Sequence, residues 1–290
     1  MDVFLNRIKQ GQHIRLLEAH SALSAMIIEN TAVVGNNGSK KAFDGIWLSS
    51  LTVSTIKGLP DIELVDITTK VNLIQEIKRV SSKPIVVDCD TGGLNQQFSF
   101  TVSALAGAGA TAIVIEDKVG FKQNSLFDDH HSQVQDTIEN FCDKIRIGKS
   151  TPTPHPIGII ARIESLVLGK GMDDALERAA AYISAGADGV LIHSKDKSPE
   201  SVISFAEQFV TAHPGVPLVC VPSKFNSICD EQLFASGFHI VIHANHLLRA
   251  AYPAMFNVAV DILTHDRSYE ASDKIMSIDK ILTLIPGSQC

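Results

Sequence analysis

The sequence predicts a single (β/α)8 barrel, an α/β fold in which eight parallel strands alternate with helices. Short runs rich in Val, Ile and Leu recur along the 290 residues, and segments with helical spacing of apolar residues follow them. Polar residues repeatedly stand where such a run ends, as expected for a barrel with its site at the carboxyl ends of its strands. With 45% hydrophobic residues, the chain can bury a core of this size, although composition alone would also fit two smaller domains.

Eight runs are interpreted as the barrel strands. In chain order they are residues 14–18, 45–49, 84–88, 112–116, 157–162, 189–193, 218–221 and 239–242. Two predicted helices end in Ala-Gly-Ala sequences, at 106–110 and 185–187, where Gly suits a helix terminus. Because a strand directly follows each ending, this echo favours one barrel over two domains.

Two segments lie outside the repeating pattern. Residues 34–41 are polar and rich in turn formers, which predicts a surface insertion on the face away from the active site. After the eighth strand, residues 245–263 predict a helix. A second amphipathic stretch follows at 271–284, where an ordinary barrel would have ended. We therefore expect a catalytic barrel over residues 1–266 and a C-terminal helical extension over residues 267–290.

Charge and cysteine content narrow the class of protein. The formal charge of −7 and the absence of a basic run disfavour a nucleic-acid partner. The first residues lack the pattern of a signal peptide, and no apolar run is long enough to span a membrane, so we expect a cytoplasmic protein. The five cysteines are scattered without a Cys-x-x-Cys pair, which favours free thiols.

Acidic residues stand where the third and fourth strands end. Alternation places Asp88 and Asp90 on one side of the third strand and Cys89 on the other. Glu116 ends the neighbouring fourth strand, and Asp61 lies on the loop after the second. Carboxylates gathered at one mouth repel one another unless they are protonated or bridged by a hard cation. This pattern favours Mg2+ over a purely structural set of salt bridges.

Cationic residues are predicted to face these acids. Arg162 offers a planar fork to a carboxylate or phosphoryl group, and His193 adds a donor. Lys122 lies in the loop after the fourth strand, which we interpret as a mobile lid. A structural alternative stays open for each of them, since a single His at a strand end is structural about as often as functional, and Arg162 has Glu164 nearby as a partner.

Two other kinds of site are disfavoured. Cys89 is a poor candidate nucleophile because it should face the helices. The glycine-rich pieces at 91–93 and 169–171 match neither the phosphate-binding loop nor the dinucleotide fingerprint, so we interpret them as turns.

The stretch from Glu116 to Ser125 reads Glu-Asp-Lys, five residues, then Asn-Ser. With this motif the chain resembles the phosphoenolpyruvate mutase and isocitrate lyase superfamily over nearly its full length. Further landmarks of the resemblance fall in the family's order, at residues 17–25, 45–47, 88–93, 161–164, 188–194 and 244–250. The resemblance implies a TIM-type barrel that uses Mg2+ as its cofactor.

The resemblance also implies three sets of site residues. The metal set, in which the first residue is the direct ligand and the others hold metal-bound waters, is Asp88, Asp90, Glu116 and Asp61. The set at the substrate carboxylate is Trp47, Ser49, Ser50 and Leu51. The set at the phosphoryl end and in the lid is Arg162, His193, Ser194, Lys122, Asn124 and Ser125. Those implied to be catalytic are Asp61, Lys122, Asn124, Arg162 and His193.

The implied reaction interconverts phosphoenolpyruvate and 3-phosphonopyruvate through a metaphosphate-like transition state, the first step of phosphonate biosynthesis. A separate downstream enzyme would then consume phosphonopyruvate. Carbon–carbon lyase chemistry is disfavoured because the lid lacks the Lys-Lys-Cys-Gly-His sequence of those relatives. Phosphonopyruvate hydrolysis and a non-catalytic barrel subunit remain as alternatives. The lid departs from the commoner mutase pattern at Gly120-Phe121, where a Pro usually precedes the Lys.

The C-terminal extension predicts self-association. Its apolar side chains recur at helical spacing, at Ile275, Ile278, Ile281, Leu282 and Ile285, and present too much surface to leave in water. The resemblance implies a helix exchanged between subunits in a homotetramer, a dimer of dimers. The alternative is a helix that folds back on its own barrel.

Overall fold

In the computed structural model, which describes residues 2–35, 38–120, 122–125, 127, 133–285 and 287, eight parallel strands close into a barrel. The described residues form these eight strands and four short ones outside the barrel. In chain order they are β1 (Ile14–Glu18), β2 (Ala32–Val34), β3 (Lys40–Ala42), β4 (Gly45–Leu48), β5 (Ile85–Asp88), β6 (Ala112–Glu116), β7 (Lys118–Val119), β8 (Val134–Gln135), β9 (Gly158–Ile163), β10 (Gly189–Ile192), β11 (Leu218–Cys220) and β12 (Ile240–His243). The barrel order is β1-β12-β11-β10-β9-β6-β5-β4.

One helix precedes the first barrel strand, and the other described helices lie between the strands or after the last one. They are α1 (Asp2–Lys9), α2 (Ala22–Asn30), α3 (Ser50–Ile56), α4 (Ile67–Lys78), α5 (Asn95–Ala108), α6 (Ile138–Ser150), α7 (Met172–Ser184), α8 (Glu200–Ala212), α9 (Asp230–Ala235), α10 (His246–His265) and α11 (Ile278–Leu282), with a 3-10 helix at Tyr269–Lys274. None of the described helices combines the length and apolar character needed to cross a bilayer.

The predicted fold is confirmed, and each predicted strand matches a barrel strand to within one residue at either end. Alternate residues fill the barrel, as Ile14 and Leu16 of β1 do, and Phe4 of α1 joins the same buried core. Gly45 begins β4 where a side chain has no room, because a Cβ there would lie 2.8 Å from the carbonyl oxygen of Pro84. The packed interior leaves the carboxyl ends of the strands to form a site.

The two Ala-Gly-Ala endings act as predicted. Gly109 follows α5 with a φ of 97°, and Gly186 follows α7 with a φ of 106°. Both lie in the left-handed region that suits glycine at a helix terminus. A barrel strand begins within a few residues of each glycine.

The insertion at 34–41 differs from the turn-rich segment that was predicted. Ala32–Val34 and Lys40–Ala42 pair as an antiparallel hairpin, because β-branched residues before the polar turn favour extended backbone. Val33 and Val34 are exposed, so the predicted surface position is correct. Asn36 and Asn37 lie outside the described residues.

The chain divides into two compact units, Met1–Asn245 and His246–Cys290. The second contains α10, so it begins earlier than the predicted boundary after residue 266. The predicted helical stretch at 271–284 is wrong as one element, because Ile275 is extended (φ −122°, ψ 159°) and ends the 3-10 helix. Ser277 then accepts a hydrogen bond from the Lys280 amide and begins α11. Neither α10 nor α11 contains a buried residue.

The described cysteines are free thiols, as predicted. Cys89, Cys142 and Cys220 are buried and Cys229 is exposed. Cys290 lies outside the described residues. Burial raises the pKa of the Cys89 thiol to about 12, which agrees with its low ranking as a nucleophile.

Candidate active site

A cavity of ≈ 60 Å³ lies at the carboxyl ends of the barrel strands. Its walls contain every predicted site residue except Asp90 and Ser194, namely Trp47, Ser49, Ser50, Leu51, Asp61, Asp88, Glu116, Lys122, Asn124, Ser125, Arg162 and His193. These residues come from the ends of five barrel strands, from the loop between α3 and α4 and from the segment between β7 and β8. The fold therefore collects residues that lie far apart in the chain.

Ser50 holds Asp88 in place. Its hydroxyl and its amide both donate to Asp88 Oδ2, at 2.9 and 3.3 Å. The Ser50 amide, which was predicted to bind a substrate carboxylate, thus contacts Asp88 in this structure. Both groups are buried, so the contact fixes the carboxylate at the end of β5.

Asp90 reaches the acidic cluster by a route other than strand alternation. Strand β5 ends at Asp88, and Asp90 has a φ of 56° in the following turn, so the alternation used in the prediction does not extend to it. Its carboxylate lies between two ammonium groups, Lys70 at 2.7 Å and Lys122 in a shorter contact. Burial acts to raise the pKa of Asp90, but these two lysines hold it well below its usual value.

The lid closes on Asp61. Lys122 Nζ donates to Asp61 Oδ1 at 2.7 Å and to Ser50 Oγ at 2.9 Å. Asn124 Nδ2 donates to Asp61 Oδ2 at 2.7 Å. Lys122 is only 6% exposed; burial acts to lower its pKa, but the surrounding carboxylates, Asp90 foremost, raise it above the ordinary value. Lys122 is therefore a buried cation held by acids from two other loops.

Lys118 fastens the base of the lid and was missed as a site residue. Strands β7 and β8 pair antiparallel on either side of the lid. Lys118 Nζ donates to Ser125 Oγ at 2.7 Å and to Gln133 Oε1 at 2.9 Å. The signal was present, since Lys118 is the third residue of the motif that begins at Glu116. Phe121 of the predicted lid departure lies outside the described residues.

Arg162 joins the lid to the opposite wall. It donates from Nη2 to Ser125 Oγ at 3.0 Å and from Nε to Glu164 Oε1 at 2.5 Å. The structural pairing with Glu164 therefore exists beside the functional position. Burial acts to raise the pKa of Glu164, but Arg162 and His193 hold it well below its usual value, so this acid is a permanent counter-ion of the wall.

His193 is a buried imidazole in the cavity wall. Its Nδ1 lies 2.9 Å from Arg162 Nη2 and 3.0 Å from Glu164 Oε1. Burial, assisted by the charge of Arg162, lowers the pKa of His193, which favours the neutral ring. When Nδ1 accepts from Arg162 the proton is on Nε2, and when Nδ1 donates to Glu164 the Nε2 atom is an acceptor. The first tautomer can donate to an anionic ligand.

Two polar groups of the cavity wall lack hydrogen-bond partners among the described residues. Both oxygens of Glu116 are buried and accept no hydrogen bond from the described residues. Nε1 of Trp47 is also buried and has no acceptor among them. Glu116 lies 3.1 Å from Lys118 Nζ and 3.3 Å from Arg162 Nη2, so it is ion-paired although the hydrogen-bond geometry is poor. Burial, partly offset by Arg162, raises the pKa of Glu116. Buried groups of this kind need a partner, which a ligand or an ordered water supplies.

Asp117, the next residue, has the opposite environment. Its Oδ2 accepts hydrogen bonds from Tyr182 at 2.8 Å, Gln135 at 3.0 Å and Arg178 at 3.2 Å. Its Oδ1 accepts from the Glu164 amide at 2.9 Å. Burial raises the pKa of Asp117 to about 7, against the effect of Arg178. Asp117 ties β6, α7 and the end of the lid together.

The donor set suits a hard cation held mainly through water. Among the described residues, no three acidic, imidazole or thiol groups are arranged as direct ligands of a metal. The predicted site needs only one direct ligand, Asp88, and the unsatisfied Glu116 oxygens lie on the same cavity wall. The carboxylates of Asp61 and Asp90 meet the Lys122 ammonium, so the site already stabilises positive charge there.

Ser194 is not placed at the cavity. It is buried, and its hydroxyl accepts a hydrogen bond from the Asp196 amide at 3.1 Å. Residues that were not predicted complete the wall, namely Leu191, Val221, Ser223, Ala244 and Asn245. Apolar members of this set carried no chemical signal in the sequence, because a strand-end Leu or Val looks like any core residue.

Comparison with known proteins gives concordant matches. A sequence model described as phosphoenolpyruvate phosphomutase matches residues 4–263. The phosphonopyruvate hydrolase of Variovorax sp. (strain Pal2) is 32% identical over 280 residues, which cover 96% of this chain and 91% of that protein.

Two crystal structures share the fold over nearly the whole chain. The phosphoenolpyruvate phosphomutase from Streptomyces platensis subsp. rosaceus has a TM-score of 0.86 at 33% identity, covering 98% of this chain and 93% of the other. A phosphonopyruvate hydrolase in complex with oxalate and Mg++ has a TM-score of 0.83 at 31% identity, with the same two coverages, 98% and 93%. Mutase and hydrolase relatives are thus similar to this chain to nearly the same degree.

Proposed function

The chain belongs to the phosphoenolpyruvate phosphomutase family, an enzyme family of the phosphoenolpyruvate mutase and isocitrate lyase superfamily, and on that premise we propose that it interconverts phosphoenolpyruvate and 3-phosphonopyruvate. The observation that carries the proposal is the closed lid. Lys122 and Asn124 both donate to Asp61 over the cavity, an arrangement that keeps water from a reactive phosphoryl group.

The substrate would lie between two walls of opposite character. Its carboxylate would face Trp47, whose Nε1 has no hydrogen-bond partner among the described residues, together with Ser49 and Leu51. Its phosphoryl group would face Arg162 and the neutral His193. The Arg162 fork matches a phosphoryl oxygen pair, and neutral His193 with its proton on Nε2 would donate without adding another charge.

Mg2+ is the proposed cofactor, with Asp88 as direct ligand and Asp61, Asp90 and Glu116 around its waters. When bound, it would offset the charge of the enolate and of the phosphoryl group. Ser50 would keep the Asp88 carboxylate oriented for this role through its two hydrogen bonds.

The reaction is an isomerisation that needs charge placement more than proton transfer. In phosphoenolpyruvate the phosphorus–oxygen bond breaks and leaves the pyruvate enolate beside a metaphosphate-like group. Carbon three of the enolate then attacks phosphorus, which forms the carbon–phosphorus bond and restores the carbonyl at carbon two. Such a loose transition state is stabilised by fixed charges such as Arg162 and Lys122 and by exclusion of water.

Phosphonopyruvate hydrolysis is the second candidate, because a hydrolase of this name is similar to the chain over most of its length. Hydrolysis requires a water molecule in line with phosphorus. In this structure each oxygen of Asp61 already accepts a hydrogen bond from the lid, from Lys122 or from Asn124. These contacts hold Asp61 to the lid, as the mutase proposal requires.

Phosphorus NMR of the purified chain with phosphonopyruvate and Mg2+ separates the candidates. We expect the phosphonate signal to be replaced by that of phosphoenolpyruvate, and the Asp88→Ala variant should leave it unchanged. Inorganic phosphate as the first product would establish the hydrolase instead. An unchanged phosphonate signal with the parent chain would favour a non-catalytic barrel.

We also propose a homotetramer in which the C-terminal unit packs on a second copy of the chain. Its long helix α10 exposes Tyr252, Met255, Phe256 and Leu263, and α11 exposes Leu282, which is apolar surface that an isolated chain would leave in water. Light scattering of a chain truncated after Asp266 tests the part played by the terminal segment. An unchanged assembly state would assign any association to α10 or to the barrel.

A cytoplasmic location and a downstream enzyme that consumes phosphonopyruvate complete the proposal. The isomerisation favours phosphoenolpyruvate, so net phosphonate synthesis needs a reaction that removes phosphonopyruvate.

A further inference from the structure

Lys70 is a buried lysine that the proposed mechanism does not use. It lies in α4 and its side chain is 5% exposed. Leu73, Ile74 and Ile77 of the same helix are buried, three, four and seven positions further on, so Lys70 lies on the apolar face of the helix. An ammonium group is costly in such a position unless it is paired.

The partner of Lys70 is the turn that carries the proposed metal carboxylates. Its Nζ donates to Asp90 Oδ2 at 2.7 Å and to the carbonyl oxygen of Asp88 at 2.9 Å. Burial acts to lower the pKa of Lys70, but Asp90 and the other nearby acids raise it above its ordinary value. Lys70 is therefore a permanent positive charge behind Asp90.

Asp90 thus faces two cations on opposite oxygens. Oδ2 is held by Lys70, while Oδ1 contacts the lid ammonium of Lys122. In the proposed function the same carboxylate would help to hold the waters of a divalent cation. The charge of Lys70 lowers the negative potential that this carboxylate offers to either cation.

We propose that Lys70 acts through Asp90 as a built-in counter-cation that weakens the cavity's hold on a divalent cation. Lys70 is in this sense a positioning residue rather than a catalytic one. The inference rests on the Mg2+ site of the proposed function. This role and a purely structural role predict opposite changes in Mg2+ affinity when Lys70 is replaced. Loss of a residue that only orders the turn weakens Mg2+ binding, whereas loss of a repelling charge strengthens it.

Lys144 provides a matched control. It is a second buried lysine, on α6, and it donates to the carbonyl oxygen of Thr91 at 2.7 Å. Lys144 thus stabilises the same turn through the carbonyl oxygen of Thr91, the residue after Asp90. A neutral residue at 144 removes a buried charge and a turn contact while Asp90 keeps Lys70.

The experiment is Mg2+ binding to the full chain without substrate, measured by calorimetry and by fluorescence of Trp47, the single tryptophan of the sequence, which lines the cavity. Removal of one positive charge beside the site should lower the Mg2+ dissociation constant of Lys70→Gln by about tenfold. Lys70→Met, which is also neutral, should bind more tightly than the parent chain. Lys70→Arg and Lys144→Gln should stay within about twofold of the parent, since both keep a cation behind Asp90.

Unchanged or weaker Mg2+ binding in the folded neutral variants would overturn the inference. Failure of both neutral variants to fold, with Lys70→Arg folded, would assign Lys70 a structural role and overturn it as well. If the parent chain itself shows no response to Mg2+, the metal site of the proposed function fails first. That outcome is distinct from parent binding that Lys70 does not influence.

Discussion

Glu116 and Asp117 are consecutive acids at the end of one strand, yet the protein treats them in opposite ways. Asp117 accepts hydrogen bonds from three side chains and one backbone amide. Glu116 is equally buried, and its two oxygens accept none from the described residues. The fold supplies hydrogen bonds to Asp117. Glu116 is left without them, so its carboxylate is available to a ligand or a water in the cavity.

The same contrast separates two regions of the molecule. Around Asp117, the side chains of Arg178, Tyr182 and Gln135 form a network that joins the barrel to the base of the lid. Around Glu116, the cavity brings together the acids Asp61 and Asp88 and the cations Lys122 and Arg162. Burial of a carboxylate without accepted hydrogen bonds is costly. For this pair of consecutive acids, hydrogen bonding thus separates the two carboxylates although residue type does not.

The largest expected effect is on the cavity side. Asp88→Ala removes the proposed direct metal ligand, and with it the cation that would offset the charge of the enolate and of the phosphoryl group. We expect no detectable turnover of phosphonopyruvate at saturating Mg2+, with a circular dichroism spectrum like that of the parent chain. Full activity of this variant in the presence of a chelator would remove the metal from the account.

Arg162→Lys should give the next largest effect. An ammonium cannot reproduce the fork that reaches both Ser125 and Glu164. We expect a loss in kcat/KM equivalent to about 1.5–3 kcal/mol for each charged hydrogen bond left unmade. Steady-state kinetics measure the loss. A kcat/KM near that of the parent chain would show that Arg162 has a structural role, like Arg178 in the network around Asp117.

Asn124→Ala should change the product more than the rate. The variant loses the hydrogen bond to Asp61 but keeps the neighbouring Lys122 contact. We expect slower isomerisation and a measurable fraction of inorganic phosphate, because water then reaches the metaphosphate-like species. Phosphorus NMR quantifies both products. Unchanged rate and product ratio would show that this lid contact has no part in excluding water.

The smallest expected effect concerns pH. The pKa of His193 is lower in the folded chain than in the unfolded chain, where it has the ordinary value of about 6.5. At pH values between these two pKa values, His193 is protonated in the unfolded chain and neutral in the folded chain. The His193 contribution to stability should therefore fall as pH decreases through this window and should be fully present above it. We also expect kcat/KM to hold at about pH 6.5 and to decline only below it, provided that neutral His193 is the active form.

A pH–rate profile of the parent chain, beside that of His193→Gln, measures this dependence. The variant should be slower and should lose the acid limb that His193 causes. An acid limb that stays in place in the variant would assign it to another group.

Much of the fold could be predicted because its signals are local. Runs of Val, Ile and Leu at regular spacing located all eight barrel strands, and glycines after alanine-rich segments marked two helix ends. The hairpin at Ala32–Val34 and Lys40–Ala42 was not predicted, because its polar turn dominates a short segment. The C-terminal stretch was predicted as one helix because apolar spacing alone does not reveal the extended Ile275 that interrupts it.

The site was partly predictable for a related reason. Residues at strand ends were found from position, whereas those that act through long-range contacts were not. Lys70 and Lys144 belong to helices that lie far in sequence from the strand-end motifs they support, although each is a charged residue on an apolar helix face, which is a usable signal. Asp90 was assigned to the right cluster by the wrong argument, since a turn rather than strand alternation brings it there.

The contrast between Glu116 and Asp117 is tested most directly by thermal unfolding with and without Mg2+ and phosphonopyruvate, a substrate of the proposed function. Asp117→Asn should lower the unfolding midpoint of the free chain, because a buried pair broken at one partner costs on the order of 3–5 kcal/mol, yet it should keep the ligand-induced rise. Glu116→Gln loses the ion pairs with Lys118 and Arg162 and should also unfold earlier, but it should lose most of the ligand-induced rise. A full rise in Glu116→Gln, or no rise in folded Asp117→Asn, would contradict the account.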